Sequence, residues 1–359
     1  MSKPFIAARV EDKLNKRLEG LVRGRGWSER VIAYTGYGSS KFIRVLARIL
    51  LSPEDEETTV TSVPGNLLNR RGWRNFFTAS VMHGRATVHV NGESYPVVAD
   101  RNGYVDCRLP VRGLEPGWHT VQLVTEGDGA TASARILIVD PEQQYGLVSD
   151  IDDTVISTSL PRPLLAAWNT FVLHESARQA VDGMADLYAT LMADHPDAPV
   201  VYVSTGAWNT APTLSRFLRH HGFPDGPMLL TDWGPTNSGW FRSGQEHKRT
   251  ALRDLAIDFP KIRWILIGDD GQHDPSLYGE FAEAHPDRAQ VIGLRQLSPG
   301  EQVLAHGTLA TLSEEVGDFT GQVPVVQAPD GHGLAPLLTE VINHPETVPS
   351  TRSDHRTTD

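Results

Sequence analysis

The spacing of the apolar residues changes period at Asp140-Pro141, and that switch restricts the chain to two folded units of different class. Before it, short runs of β type are separated by turn residues: Phe42 to Leu51, Ala86 to Val90, Tyr104 to Leu109, Thr120 to Val124 and Ala134 to Val139. Asn91-Gly92 lies between two such runs, a strong signal for a tight hairpin, and Leu114-Glu115-Pro116-Gly117 introduces another strand. Residues 30–140 therefore read as an all-β, immunoglobulin-like sandwich. After the switch, the apolar runs Tyr145 to Ser149, Pro199 to Val203, Met228 to Leu230, Ile262 to Ile267 and Gln290 to Leu294 alternate with helical stretches at Ser176 to Ala193, Thr210 to His221 and Lys248 to Asp258. Such alternation predicts an α/β unit over 141–320, a parallel sheet with helices on both faces and a ligand crevice at the carboxyl ends of its strands. A length of 359 residues suits two domains with tails.

The two ends read differently. Residues 1–27 hold seven basic residues (Lys3, Arg9, Lys13, Lys16, Arg17, Arg23, Arg25) against three acids, in a chain whose net charge is −11. Ile6, Val10, Leu14, Leu18, Leu21 and Val22 recur at spacings of three and four, so residues 1–29 are expected to form a basic amphipathic helix. Its basic face is compatible with an anionic membrane surface or with plain solvent, its apolar face docked on its own domain. Residues 321–359 are rich in Pro, Thr, Ser and Asp and are expected to be a largely disordered tail, with one apolar run at Leu334 to Val341. The acidic balance argues against nonspecific nucleic-acid binding, which depends on Lys and Arg neutralising phosphates. A single cysteine, Cys107, excludes an internal disulfide and a multi-thiolate zinc site. No secretory leader and no run of about 20 apolar residues is visible, which leads us to expect a cytoplasmic protein.

Candidate chemistry gathers at the expected strand ends. The first strand delivers Asp150-Ile151-Asp152-Asp153-Thr154. Two acids so close can act as nucleophile and general acid/base at phosphorus, their pKa values pushed apart; they are also what a solvated turn contains. The second strand ends in Ser204-Thr205-Gly206, where hydroxyls and backbone N–H groups suit either phosphate oxygens or a helix N-cap. Ile262 to Ile267 leads to Gly268-Asp269-Asp270, with Asp274 soon after, an oxygen-rich set of the kind Mg²⁺ prefers. Lys248, at the start of the preceding helix, can bring one compact positive charge to phosphate and nucleophile.

Taken together these stretches resemble the haloacid-dehalogenase-like (HAD) phosphohydrolases, whose order is Asp-x-Asp-x-Thr, Ser or Thr, Lys, then an acidic pair. More narrowly, residues 143–295 resemble the actin-patch-associated phosphatidate phosphatase family. The matching stretches are Ser149 to Thr154, Tyr202-Val203-Ser204 with Trp208, Thr231-Asp232-Trp233-Gly234, His247-Lys248 and Gly268 to Pro275. The resemblance implies a HAD-like Rossmannoid catalytic domain, Mg²⁺ as cofactor, and an aspartyl-phosphate on Asp150. It implies Asp152 as acid/base, Thr154, Ser204, Thr205 and Lys248 around the phosphate, and Asp150, Asp152 (through its backbone carbonyl), Asp269 and Asp274 at the metal. Thr205-Gly206-Ala207 and Asp270 depart from the family pattern, in which a small polar residue followed by Ser-Pro, and Ser, are expected. His247 and His273 flank the site in sequence and suit either substrate contact or structural hydrogen bonding.

The implied substrate is phosphatidate, giving diacylglycerol and phosphate. The apolar stretch from Val155 to Phe171 is compatible with a flap that receives acyl chains and with ordinary core packing. The implied partners are a phosphate ester, most simply a phospholipid, and a membrane surface touched peripherally. Two other functions remain open at this level: a phosphatase of a soluble phosphomonoester, and a lipid- or protein-binding module with a relict site.

Overall fold

The computed structural model describes residues 17, 19–53, 79–157, 179–231, 244–271, 273–306 and 323–344. An all-β unit comes first. Its strands are β1 (Trp27–Ser39), β2 (Phe42–Pro53), β3 (Ala79–Ser80), β4 (Arg85–Val90), β5 (Glu93–Val98), β6 (Tyr104–Pro110), β7 (Gly117–Thr125) and β8 (Thr131–Ile138). They form one curled sheet in the order β3-β2-β1-β8-β7-β4-β5, with β6 also paired to β2. Alternation explains its core: Ile43, Val45, Ala47 and Ile49 of β2 and Val121 and Leu123 of β7 all point inward. Asn91 and Gly92 both have positive φ, 49° and 80°, and turn β4 into β5 as expected of this pair.

Helical residues at the amino end include 19–23, and Val22 is buried in the β-unit core. The expected helix over 1–29 is too long, because Trp27 already pairs with Pro53 at the start of β1; most of its apolar stripe lies outside the described residues.

The second unit is a six-stranded parallel sheet. Its strands are β9 (Tyr145–Ser149), β12 (Val200–Ala207), β13 (Met228–Thr231), β14 (Arg263–Asp269), β15 (Ala289–Arg295) and β16 (Val325–Ala328), in the spatial order β13-β12-β9-β14-β15-β16. Every pair in it is parallel. A minor ladder of β10 (Ile156–Ser157) with β11 (Gln179–Ala180) stands beside it. The helices are α1 (Met184–Met192), α2 (Ala211–His220), α3 (Gly244–Asp258), α4 (Asp274–Ala284), α5 (Pro299–His306) and α6 (Gly331–Asn343). Chain order reverses on either side of β9, so the crevice of this doubly wound sheet opens at the carboxyl end of β9. An immunoglobulin-like domain thus precedes a Rossmannoid α/β domain, as the change of period predicts.

Several local expectations are corrected. Residues from 321 on are not simply a tail: β16 pairs with β15, and α6 buries Leu334 and Leu338 completely, each contributing about 1.5–3 kcal/mol over the exposed state. Asp330 caps α6 by accepting from the Gly333 N–H. Within Ser176 to Ala193 the described part is not one helix; α1 starts only at Met184, after Gly183 at φ 68°. Strand β12 runs through Ser204-Thr205-Gly206 to Ala207 instead of stopping at Val203, its pairing with β13 irregular between Val203 and Ala207.

The two units share packing. Tyr34, Tyr37, Leu46, Leu137 and Val139 of the β unit lie in the same apolar cluster as the parallel sheet. The Tyr34 ring packs against Trp208 at a tilt of 32°, centroids 4.6 Å apart, just past the end of β12.

Candidate active site

Strand β9 is buried at every position and ends directly before Asp150. The Asp150 N–H donates to the Ile267 carbonyl at 2.8 Å, so the nucleophile candidate is held by one more rung of the β9–β14 ladder. Ser149 fixes the same peptide from the side: its hydroxyl donates to the Asp150 carbonyl at 2.5 Å and lies 2.5 Å from the Tyr188 hydroxyl. Since the serine has only one proton to give, Tyr188 is the donor of the second bond. The chain then turns tightly. The Asp153 N–H donates to the Ile156 carbonyl at 2.8 Å, and the Val155 and Ile156 N–H groups both donate to the Ile151 carbonyl. Asp153 sits at φ 59°, left-handed for a residue that is not glycine. This turn aims Asp152 at β12, where the Ser204 hydroxyl donates to its Oδ2 at 2.8 Å and accepts from the Gly206 N–H at 2.8 Å.

Helix α3 supplies the cation. Lys248 is one turn inside the helix rather than at its opening, and its ammonium lies 2.6 Å from Asp150 Oδ1 and 2.5 Å from Asp274 Oδ1. Asp274 opens α4 and folds back over β14. It can do so because residue 268 is glycine: a Cβ there would stand 2.5 Å from Asp274 Oδ2. Asp269, the last residue of β14, accepts from the Gly271 N–H at 2.8 Å. Asp150, Asp269 and Asp274 each present a carboxylate oxygen within 4.8 Å of the others, and all three are buried.

Three carboxylates and one ammonium in a buried site leave an excess of negative charge. Burial pushes Asp269 well above the usual carboxylate range, and the nearby Asp274 and Asp150 add to it. Burial raises Asp150 as well, against the pull of Lys248. Lys248 is itself held protonated: burial alone would lower it, but Asp150 and Asp274 overcome that and raise it. One oxygen of Asp274, Oδ2, is buried without a hydrogen-bond partner. An all-oxygen donor set, excess negative charge and an unsatisfied buried carboxylate oxygen fit a hard divalent cation such as Mg²⁺.

The expected site residues thus fall into distinct groups. Asp150, Lys248, Asp269 and Asp274 converge, and Asp152 and Ser204 touch one another beside them. The Asp152 carboxylate is not part of the three-carboxylate group. Thr154 is wholly buried, its hydroxyl oxygen without a partner. Thr205 is half-buried, its methyl side toward Gly244. Asp270 diverges from Asp269 and accepts from the Leu297 N–H at 2.8 Å. A ring nitrogen of His247 lies 3.0 Å from the Leu229 carbonyl, a structural bond, and His273 is exposed at the start of α4. Asp232, Trp233, Gly234 and the stretch from Thr158 to Phe171 lie outside the described residues.

Residues to which sequence reasoning assigned no role stand behind the carboxylates. Besides Ser149, which lies in a matching stretch, and Tyr188, these include Arg295 at the end of β15, buried and bonded to the Asp153 carbonyl at 2.8 Å. Its position at the end of a parallel strand, next to the strand that carries Asp269, was the available signal.

Fold and site together define a Rossmannoid α/β domain whose acidic centre, linked by one lysine, resembles a HAD-type site. Comparison with known proteins narrows this: residues 145–296 match the family described as phosphatidate phosphatase APP1, catalytic domain. Over this segment the chain is similar to that family. Phosphatidate phosphatase APP1 of Saccharomyces cerevisiae is 31% identical over 151 residues, covering 42% of this chain and 25% of that protein. An uncharacterized protein of Schizosaccharomyces pombe is 27% identical over 152 residues, again 42% of this chain and 25% of the relative. The match therefore spans about a quarter of the length of these curated relatives. Among solved structures, the HAD domain of effector protein Lem4 from Legionella pneumophila aligns at 16% identity and a TM-score of 0.30, over 44% of this chain and 88% of that one. No helix among the described residues is long and apolar enough to cross a membrane.

Proposed function

We propose that this protein is a magnesium-dependent phosphatase that forms an aspartyl-phosphate on Asp150, and that its substrate is phosphatidate, released as diacylglycerol and phosphate. The observation that carries the chemistry is the convergence of Asp150, Lys248, Asp269 and Asp274 at the crevice of the parallel sheet, with Asp152 held alongside by Ser204. A carboxylate oxygen of Asp150 attacks phosphorus, and the bond from phosphorus to the leaving alkoxide breaks as Asp152 gives that oxygen its proton. Asp152, now a carboxylate, takes a proton from water; the water oxygen attacks the aspartyl-phosphate, freeing phosphate and restoring Asp150. Ser204 turns its hydroxyl from Asp152 to a phosphate oxygen, Thr205 and Thr154 complete that side, and Lys248 spans nucleophile and phosphate. Asp150, Asp269, Asp274 and the Asp152 backbone carbonyl would hold magnesium, which would supply positive charge to offset the phosphate beside these carboxylates.

The lipid substrate rests on the name of the yeast relative and on the basic amino-terminal segment, which suits an enzyme working peripherally at a membrane from the cytoplasmic side. Phosphate release from phosphatidate in detergent micelles, set against small water-soluble esters with and without magnesium, tests both levels. Preference for phosphatidate supports the full reading. Turnover of soluble esters alone restricts it to a general phosphomonoesterase, and no turnover of any ester by folded protein in magnesium overturns it in favour of a binding module.

A further inference from the structure

The turn that carries Asp152 is held from behind by a residue whose guanidinium hydrogen-bonds to groups outside the acidic cluster. Arg295 is the last residue of β15, its Cα directly across from that of Asp269 in the sheet. Its guanidinium is buried and makes three bonds: Nη1 to the Asp153 carbonyl at 2.8 Å, Nη2 to Glu301 Oε1 at 2.6 Å, and Nε to the Pro329 carbonyl at 3.2 Å. The turn, the start of α5 and the segment between β16 and α6 are thereby pinned to one planar group. Asp270 is drawn into the same arrangement. Its N–H donates to the Arg295 carbonyl at 2.9 Å, and its carboxylate lies within electrostatic reach of the guanidinium.

Asp153 is the strained member of that turn. A left-handed φ of 59° is uncommon for a residue with a side chain, and such conformations persist where surrounding bonds over-determine them. The Asp153 N–H is fixed within the turn, to Ile156, while its carbonyl is fixed from outside, by Arg295. Releasing the carbonyl would free the peptide after Asp153 to rotate and would let the strained residue relax, which would loosen the placing of Asp152 before it. The 2.8 Å contact from Ser204 to Asp152 depends on this backbone for the placing of its Asp152 end.

We propose that Arg295 is a positioning residue for catalysis: it clamps the left-handed turn at Asp153 and so sets where Asp152 stands relative to Asp150. As a statement about turnover this rests on the phosphatase reading above; as a statement about the turn it does not.

The test is a cycle of Arg295→Ala, Asp153→Gly and the double variant, read by steady-state kinetics on the best ester and by amide hydrogen exchange. Arg295→Ala is expected to lower kcat on the order of 10²-fold with KM little changed, the cost of a misplaced proton donor. Added guanidinium ion should restore part of kcat, and sodium chloride at equal ionic strength should not. Exchange at the amides of Asp153, Val155 and Ile156 should quicken roughly tenfold or more while Ile265 and Leu266 stay protected. Because glycine adopts positive φ without strain, Arg295→Ala should cost several-fold less in the Asp153→Gly background. If Arg295→Ala does not fold, Arg295→Lys, which keeps the charge but not the fork, is read in the same cycle. Unchanged kcat and unchanged exchange in the arginine variants, or equal losses in both backgrounds, would overturn the proposal. A wild-type protein that turns over no ester ends the phosphatase reading instead, and the exchange at the turn still decides this one.

Discussion

Helix α3 has a charge of the wrong sign at each end, and the two ends solve that problem differently. Lys248 lies toward the positive amino end and Asp258 is the last residue at the negative carboxyl end. At the carboxyl end the partners come from the β unit: Arg108 pairs with Asp258, the Tyr37 hydroxyl donates to it at 2.9 Å, and Arg44 links Tyr37 to Asp106 and approaches Asp254. Arg108 is 42% exposed and so meets water, although the Asp258 side chain beneath it is only 2% exposed. At the amino end Lys248, Asp150 and Asp274 are 7%, 3% and 0% exposed, and the carboxylates outnumber the ammonium. Joining two units accounts for the first network, which is near balance and wet at its rim. Packing does not account for the second, since burying unbalanced charge is costly and hydrophobic residues would serve a core better. Such a surplus supports the proposal that the amino end of the helix serves a chemical site.

The sharpest way to break this contrast is Asp150→Asn. It is expected to abolish turnover, by at least about 10⁴-fold, while Tm holds or rises, because one of three crowded carboxylates loses its charge. A fall in Tm comparable with that of core variants would mean that Asp150 is structural. Lys248→Met goes the other way. It removes the ammonium that bridges Asp150 and Asp274 and is expected to lower stability by about 3–5 kcal/mol in urea unfolding, with turnover lost as well. Arg108→Met at the opposite end of the helix should cost less than Lys248→Met, because the Tyr37 hydroxyl still donates to Asp258 and water reaches the vacated side; equal costs at the two ends would erase the distinction. Smaller again is Gly268→Ala. Its methyl group would enter the space of Asp274 Oδ2, displacing that carboxylate, and we expect kcat to fall roughly tenfold with a modest loss of stability. Kinetics that match wild type would show that Asp274 can move without consequence.

How far the sequence reveals this arrangement depends on what kind of signal each residue leaves. Asp150 is legible because an unbroken apolar strand ends on it, and Ser204, Lys248 and Asp269 because their order along the chain matches strand ends that must be neighbours in a parallel sheet. The separation of Asp269 from Asp270 is not legible. Consecutive residues at a strand end point to opposite sides, and only the known position of Leu297 shows which acid turns away. Strand β16 is hidden for another reason: four residues, Val325 to Ala328, follow a polar segment whose composition resembles a tail, and their burial depends on β15 lying beside them. Strand β1 is obscured by the irregularity between Tyr34 and Tyr37, which interrupts simple alternation. Arg295 reads as an ordinary charged residue closing an apolar strand until its three bonds are seen.

The smallest effect concerns how Asp258 responds to pH, and it tests whether the carboxyl end of α3 is as relaxed as its exposed rim suggests. Burial raises Asp258 above its ordinary value of 3.8, although Arg108, Tyr37 and Arg44 all pull it down. A raised value means that the folded state keeps a proton which the unfolded chain has already released. As pH climbs from 3.8 through the raised value, the folded state therefore loses relative stability, and below 3.8 the difference disappears. Asp258→Asn removes this dependence, so the Tm of the variant minus that of wild type should grow with pH across that window and then level off. The shift is expected to be small, because water reaches Arg108 and screens the pair. A difference that shrinks with rising pH would mean that Arg108 and Tyr37 outweigh burial, and that this end of the helix is held by its ion pair rather than merely tolerating it.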